Sequence, residues 1–190
     1  MGVVIPASTS VALDVTRMDQ SLEMDRSKRM ARVQPGVILE DLAFAAEQNN
    51  LLFGHDPWSR PVATVGGALS TDGIGYLARR YGSMGDQVMA LEAVIADGSI
   101  IRTRPLVRQS SGPQLNGIFV GSEGTMGVIT EVTVQMFPVP ERRKFMTLGF
   151  ASFDDGFRVV CDLFDTGLVP TLMDLTEEEP RIGAHGYRTI

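Results

Sequence analysis

The sequence predicts an α+β fold, a mixed sheet with helices packed on it. Three observations carry that expectation. Strand-like segments outnumber helical ones, and they do not alternate with helices as a doubly wound sheet requires. The stretch "VITEVTVQM" (128–136) alternates apolar and polar residues at the period of a half-buried strand. Finally, "GIGYLA" (73–78) satisfies the form of a dinucleotide fingerprint but lacks the apolar strand before it and the multi-turn helix after it.

Taken in order, "SVALDVTRMDQ" (10–20) reads as a short strand and a turn. Two strands follow at about 21–25 and 29–34, around a charged turn at Asp25–Lys28 that is read as solvated. Residues 37–50 form an amphipathic helix, with Val37, Leu39, Leu42, Ala43, Ala45 and Ala46 as its buried stripe. Pro35–Gly36 mark its start and Asn49–Asn50 its end. Residues 51–86 are rich in Gly, Pro, Ser, Thr and Asp and show little periodicity; a loop of that length points to function. Residues 87–103 are a hairpin turning at Asp97–Gly98. A loop with a helical turn spans 104–117. In 128–136, Val128, Thr130, Val132, Val134 and Met136 share one face and Ile129, Glu131, Thr133 and Gln135 the other. "FPVPERRK" (137–144) looks like a domain boundary. Beyond it come a strand at 145–153, a helix at 154–167 with Phe157, Val160, Cys161 and Phe164 on one stripe, a strand at 169–180 running into an acidic turn, and a tail without periodicity.

The bulk composition narrows the function. The 190 residues are 44% apolar and 21% charged, as in a soluble globular protein of one domain or one domain and part of another. A net charge of −6 with no basic tract argues against nucleic-acid binding. No apolar run is long enough for a membrane helix, and the N-terminus lacks the pattern of a signal peptide. The single cysteine, Cys161, excludes an internal disulfide and a cysteine metal cluster, and His55 and His185 do not by themselves make a zinc site. No metal is expected, and a reducing cytoplasm suits these features.

No P-loop, nucleophile elbow or Ser–His–Asp arrangement is present. Two glycine-rich stretches remain, "TVGGALSTDG" (64–73) and "GSEGTMG" (121–127). Each is either a tight structural turn or a place where a ligand reaches the main chain. Successive N–H groups in such loops can cradle an anion without a lysine, and two of them could hold a diphosphate.

The stretches "GHDPWSRPVATVGGALSTDGIGYLARRYGSMGDQVMALEAVIADGSIIRT" and "SSGPQLNGIFVGSEGTMGVITEVTVQMFPVPE" resemble the FAD-linked oxidases of the vanillyl-alcohol-oxidase type. Within them the chain is most similar to alkyl-dihydroxyacetonephosphate synthase and the FAD-dependent D-lactate and glycolate dehydrogenases. The resemblance covers about residues 10–175. It implies a PCMH-type FAD-binding domain of two α+β subdomains (1–140), followed by the start of the FAD-linked oxidase cap domain (141–190). It implies FAD as cofactor and a small 2-hydroxy acid, or an alkylglycerone phosphate, as substrate. By motif match the FAD-contacting residues are Pro57, Trp58, Ser59, Arg60, Pro61, Val62 and Ala63; Thr71, Asp72, Gly73 and Ile74; and Gly121, Ser122, Glu123, Gly124, Thr125, Met126 and Gly127. Thr64, Gly66 and Gly67 would sit by the diphosphate. His55 matches the family's G-H-x-P histidine near the active site; the alternative is a turn histidine in a glycine-rich loop.

Three departures qualify the resemblance. Trp58 stands where an aspartate is common. The family's first pyrophosphate loop would precede "VVIPASTSVALDVTRMDQ", where this chain starts, and the chain stops near the start of the cap. The expectation is a portion of a larger enzyme that binds FAD weakly alone and self-associates or pairs with a partner chain. The rival of another class is a non-catalytic remnant of the flavoprotein fold that does not bind FAD alone.

Overall fold

The computed structural model describes residues 12–106 and 110–176. An antiparallel sheet of five strands lies at its centre, in the order β1-β2-β6-β4-β5. These strands are β1 (Ser21–Asp25), β2 (Met30–Val33), β4 (Val88–Val94), β5 (Ile100–Arg102) and β6 (Val128–Gln135). A second, two-stranded sheet pairs β3 (Leu51–Leu52) with β7 (Phe137–Pro138). The α+β class holds, but every described pairing is antiparallel, so the sheet is not the mixed one expected.

Local chemistry closes both hairpins. Between β1 and β2, the Asp25 carboxylate accepts from the Ser27 hydroxyl (2.7 Å) and the Lys28 N–H (2.9 Å). These donors, the Lys28 amide foremost, hold Asp25 well below the usual carboxylate range. Between β4 and β5, Gly98 takes φ 84°, which the expected Asp97–Gly98 turn requires.

The sheet has one dry face and one wet one, as antiparallel sheets allow. Ala31, Val33, Leu91, Ala93, Ile129, Val132 and Val134 join the buried cluster, whereas Glu92, Arg102, Arg32 and Glu131 pair in the solvent layer. The clean alternation expected for β6 does not survive. Glu92 faces Glu131 and Ala93 faces Ile129, so Thr130 is an extra, bulged residue. The bulge returns Ile129 to the face of Val132 and Val134. The Thr130 hydroxyl then donates to Glu92 Oε1 at 2.7 Å, and this bond is the main reason the Glu92 carboxyl sits below its ordinary value.

Helix α1 (Leu39–Gln48) covers the dry face with Leu39, Leu42 and Ala46. Its N-terminus has no side-chain cap; the N–H groups of Leu39 and Glu40 donate instead to the carbonyls of Ala63 and Arg60. The stretch 51–86, expected as loop, is wound more tightly than its composition suggested. It holds β3, helix α2 (Val65–Ser70), the one-turn helix α3 (Ala78–Tyr81) and a 3₁₀ turn at Gly85–Gln87. Thr64 caps α2 by accepting from the Gly67 N–H at 3.2 Å. A helical turn is expected within 104–117; helix α4 (Asn116–Phe119) starts at the end of that stretch and runs up to the second glycine loop.

Three strand expectations fail. Residues 12–20 contain a turn at 16–17 and no strand. Residues 145–153 run without a strand partner, leaving Phe145 and Met146 72% and 71% exposed. Residues 169–176 are also not a strand, and 177–180 lie outside the described residues, as do the tail and His185. Alternation favours a strand only where a free sheet edge receives it. Helix α5 (Phe153–Asp165) does form, capped by Ser152, but its stripe is not buried: Phe157 and Phe164 are 53% and 48% exposed.

Candidate functional site

A cleft of about 260 Å³ opens where α1, α2 and the turns between them meet. Its walls are Pro57, Trp58, Ser59 and Ala63 on one side and Thr71, Gly73 and Ile74 on the other, with Gly67 along α2. His55 lies inside, with only 2% of its surface exposed. Nine of the residues expected to touch cofactor or reactant therefore converge: His55, Pro57, Trp58, Ser59, Ala63, Gly67, Thr71, Gly73 and Ile74. Leu39 and Ala68 line the cleft as well. Sequence reasoning missed them because Leu39 reads as a core position of its helix and Ala68 as part of a glycine-rich loop.

The wall from Pro57 to Ala63 is two stacked turns. Arg60 N–H donates to the Pro57 carbonyl at 2.9 Å, and Val62 and Ala63 N–H donate to the Ser59 carbonyl at 3.0 and 2.9 Å. The N–H groups of Trp58, Ser59 and Ile74 have no hydrogen-bond partner among the described residues, so three main-chain donors remain free on the cleft walls. Trp58 and Ile74 stand at the rim, 73% and 77% exposed.

The expected diphosphate residues are arranged differently. Val65 N–H donates to the Val37 carbonyl, Gly66 N–H to the Pro35 carbonyl and Gly67 N–H to Thr64 Oγ1. These amides are spent inside the protein. Gly66 is a packing glycine, since a Cβ there would lie 2.6 Å from Pro35 Cβ. Thr64 is a helix cap. Of the Pro57–Ala63 stretch, Arg60, Pro61 and Val62 do not line the cleft.

The second glycine loop docks on the end of α2. Gly121 N–H donates to the Leu69 carbonyl at 3.1 Å and Glu123 N–H to the Ser70 carbonyl at 2.8 Å. Gly121, Glu123 and Gly124 all take positive φ, 68°, 52° and 79°. Asp72, itself at φ 48°, accepts from the Gly85 N–H at 2.9 Å and lies under Gly121. The two glycine-rich stretches, some fifty residues apart in the chain, thus form one surface. On it the N–H groups of Gly124 and Met126 are free among the described residues. Ser122 and Thr125 turn their hydroxyls inward, onto the carbonyls of Phe119 and Ser122.

Burial, opposed by the nearby Asp72 carboxylate, pushes the His55 imidazole down to about 4 from its ordinary 6.5. It is neutral at pH 7. Its Nδ1 is buried with no hydrogen-bond partner among the described residues, and its Cε1–Nε2 edge faces Gly73, where a Cβ would approach to 3.2 Å. A buried polar atom left unpaired beside a cleft calls for an explanation, and a bound ligand is one.

A larger, polar cleft of about 450 Å³ was not foreseen. It lies between Gly85–Met89, the end of β5 and Asn116, and shares no lining residue with the first. Among the described residues there is no group of three or more His, Cys, Asp or Glu that could hold a metal, and no helix is long and apolar enough to cross a membrane.

The chain is similar to proteins of known type. Residues 2–104 match a family described as "FAD binding domain". Glycolate oxidase subunit GlcD of Bacillus subtilis is 33% identical over 97% of the chain and 40% of its own length. A D-lactate dehydrogenase of Archaeoglobus fulgidus is 36% identical over 85% of the chain and 36% of its own length. Alkyldihydroxyacetonephosphate synthase of Caenorhabditis elegans is 35% identical over 77% of the chain and 24% of its own length. A solved alkyldihydroxyacetonephosphate synthase superposes with a TM-score of 0.78 and 26% identity, covering 90% of the chain and 31% of that structure. The chain thus spans well under half the length of these relatives.

Proposed function

The chain belongs to the FAD binding domain family, and from that premise we infer that it contributes part of the FAD site of an FAD-linked oxidoreductase acting on a small 2-hydroxy acid such as glycolate or D-lactate. The observation that carries this reading is the cleft around His55. It joins an orphaned imidazole nitrogen, free main-chain donors and apolar walls, a combination suited to a planar heteroaromatic ring. At about 260 Å³ it holds a ring system and not a whole dinucleotide. The diphosphate would then extend toward the second glycine loop, where the Gly124 and Met126 amides are free.

Each group has a defined task. The N–H groups of Trp58, Ser59 and Ile74 would serve as donors to the bound cofactor. Trp58 and Ile74 shield the bound ring from water. The neutral His55 hydrogen-bonds to the ligand; at a pKa near 4 it is too weak a base to abstract a proton at neutral pH. Bound FAD supplies the hydride-accepting chemistry. An alkylglycerone phosphate remains the second substrate class, favoured by the structural likeness to the synthase.

Spent amides at Val65, Gly66 and Gly67 favour weak binding by this chain alone. Trp58 is the sole tryptophan and stands at the cleft rim, so its fluorescence reports directly on occupancy. Titration with FAD is expected to quench Trp58 with a micromolar or weaker constant. Gly73→Val, which fills the space beside His55, should abolish the quenching in a protein with an unchanged circular dichroism spectrum. A chain whose fluorescence never responds to FAD would support the rival reading, a flavoprotein fold that does not hold the cofactor by itself.

A further inference from the structure

We propose that Arg60 is a positioning residue that sets the width of the His55 cleft, and not a cation that pairs with the cofactor's phosphates. This assignment rests on the FAD reading given above. Carboxylates engage all three nitrogens of the Arg60 guanidinium, through three of its five N–H donors. Its Nε and Nη2 donate to the two oxygens of Glu40 at 3.2 and 3.0 Å, and its Nη1 donates to Asp56 Oδ1 at 3.0 Å. Its bidentate edge is taken by Glu40 and its charge is already balanced by two carboxylates, which makes it a poor partner for a phosphate.

The partners explain what the fork controls. Glu40 is the second residue of α1, and its N–H donates to the Arg60 carbonyl, so side chain and main chain bind the same two residues in both directions. The Ala63 carbonyl receives the Leu39 N–H at 2.9 Å, fixing the other end of the turn. The wall carrying Pro57, Trp58 and Ser59 is thereby clamped to the start of α1. Asp56 reaches the opposite wall. Its carbonyl accepts the Tyr76 N–H at 2.9 Å, two residues beyond Ile74, and Gly75 packs so closely that a Cβ would lie 2.6 Å from Asp56 N. Arg60 therefore ties α1, the first wall and the base of the second wall together. With the three side chains between 30% and 45% exposed, the cluster contributes little to global stability, so its effect falls on local geometry.

Glu40 gives a test with opposite signs, because it does not line the cleft. Removing its negative charge should strengthen binding of an anionic cofactor if Arg60 is a phosphate ligand, since the guanidinium is released. It should weaken binding if Arg60 positions the wall. FAD affinity of the full chain would be read from Trp58 quenching for the wild type, E40Q, R60Q and R60K. Amide hydrogen exchange of Arg60, Val62 and Ala63 would be followed without FAD. The expected result is an affinity loss of about tenfold or more in E40Q and R60Q, with incomplete recovery in R60K, which keeps the charge and loses the fork. Exchange at the three wall amides should accelerate in both variants, while amides of β4 and β6 stay unchanged. Equal or tighter FAD binding by E40Q overturns the proposal. If the wild type takes up no FAD, the cofactor reading falls, and the exchange rates decide the clamp: unchanged wall amides in R60Q overturn it.

Discussion

Two helices of this protein carry similar sequence signals and meet different fates. Helix α1 and helix α5 are both amphipathic, and both begin with acidic residues in the first turn. Helix α1 buries Leu39, Leu42 and Ala46 completely in the common core, which also takes in residues of the sheet. Helix α5 buries only Gly156, against Phe150 and Leu175, and leaves Phe153, Phe157 and Phe164 exposed. These rings do have partners: Phe153 and Phe157 stack on each other with centroids 6.4 Å apart, and the Arg79 guanidinium of α3 stacks over Phe164 at 3.7 Å. The contrast shows that an apolar stripe specifies a helix and a need for burial, while the neighbouring surface decides whether the need is met.

The largest test of that contrast compares paired truncations. Leu42→Ala should lower stability to urea by about 2–5 kcal/mol, the usual cost of a cavity in a packed core. Phe157→Ala should change it by less than about 0.5 kcal/mol. Equal losses would show that the α5 face is buried in solution, by self-association or otherwise.

The pH dependence tests the α1 side again, at the cleft beneath it. Because burial lowers the folded-state pKa of His55 to about 4 from 6.5, the unfolded chain binds more protons between those values. Stability should therefore fall as pH drops from 6.5 toward 4, by up to about 3 kcal/mol. His55→Phe should flatten this part of the curve in denaturation series at several pH values. An unchanged slope would mean that His55 is solvated.

A smaller effect is expected where α2 meets the chain before α1. Gly66→Ala places a Cβ 2.6 Å from Pro35 Cβ and should cost about 1–3 kcal/mol. The same substitution at Gly149, beside the apolar C-terminal segment, meets nothing within 4 Å and should leave the melting temperature unchanged. Thr64→Ala, which removes the α2 cap, should cost about 1 kcal/mol in the same assay.

The smallest change should appear in association rather than stability. Exposed Phe145, Met146, Phe157, Leu168 and Val169 gather in the C-terminal segment, and exposed apolar surface promotes self-association. Phe157→Glu should shift sedimentation toward monomer without moving the urea midpoint. A wild-type chain that sediments as a clean monomer at high concentration would remove the basis for this expectation.

Much of this was legible in the chain itself. Local rules located β1 and β2 around the Asp25 turn, α1 between Gly36 and Asn49, and the β4–β5 hairpin at Asp97–Gly98, because caps, turn residues and periodicity act over a few neighbouring positions. The glycine stretches pointed to the right neighbourhood: most of the Pro57–Ile74 motif residues reach one cleft, and Gly121 and Glu123 dock on α2. Tertiary structure decided the rest. Whether an amide is free for a ligand depends on a carbonyl elsewhere in the chain, and Pro35 and Val37 claim those of Gly66 and Val65. Whether Arg60 is available depends on Glu40 and Asp56, as the burial of His55 depends on its surroundings in the fold. The face shown by Ile129 depends on a bulge that exists only in register with β4. Residues 145–153, which read as a strand, form none and pair with no sheet edge among the described residues. Periodicity and turn chemistry are properties of neighbours in sequence, whereas hydrogen-bond satisfaction, burial and register are properties of pairs that only the folded chain brings together.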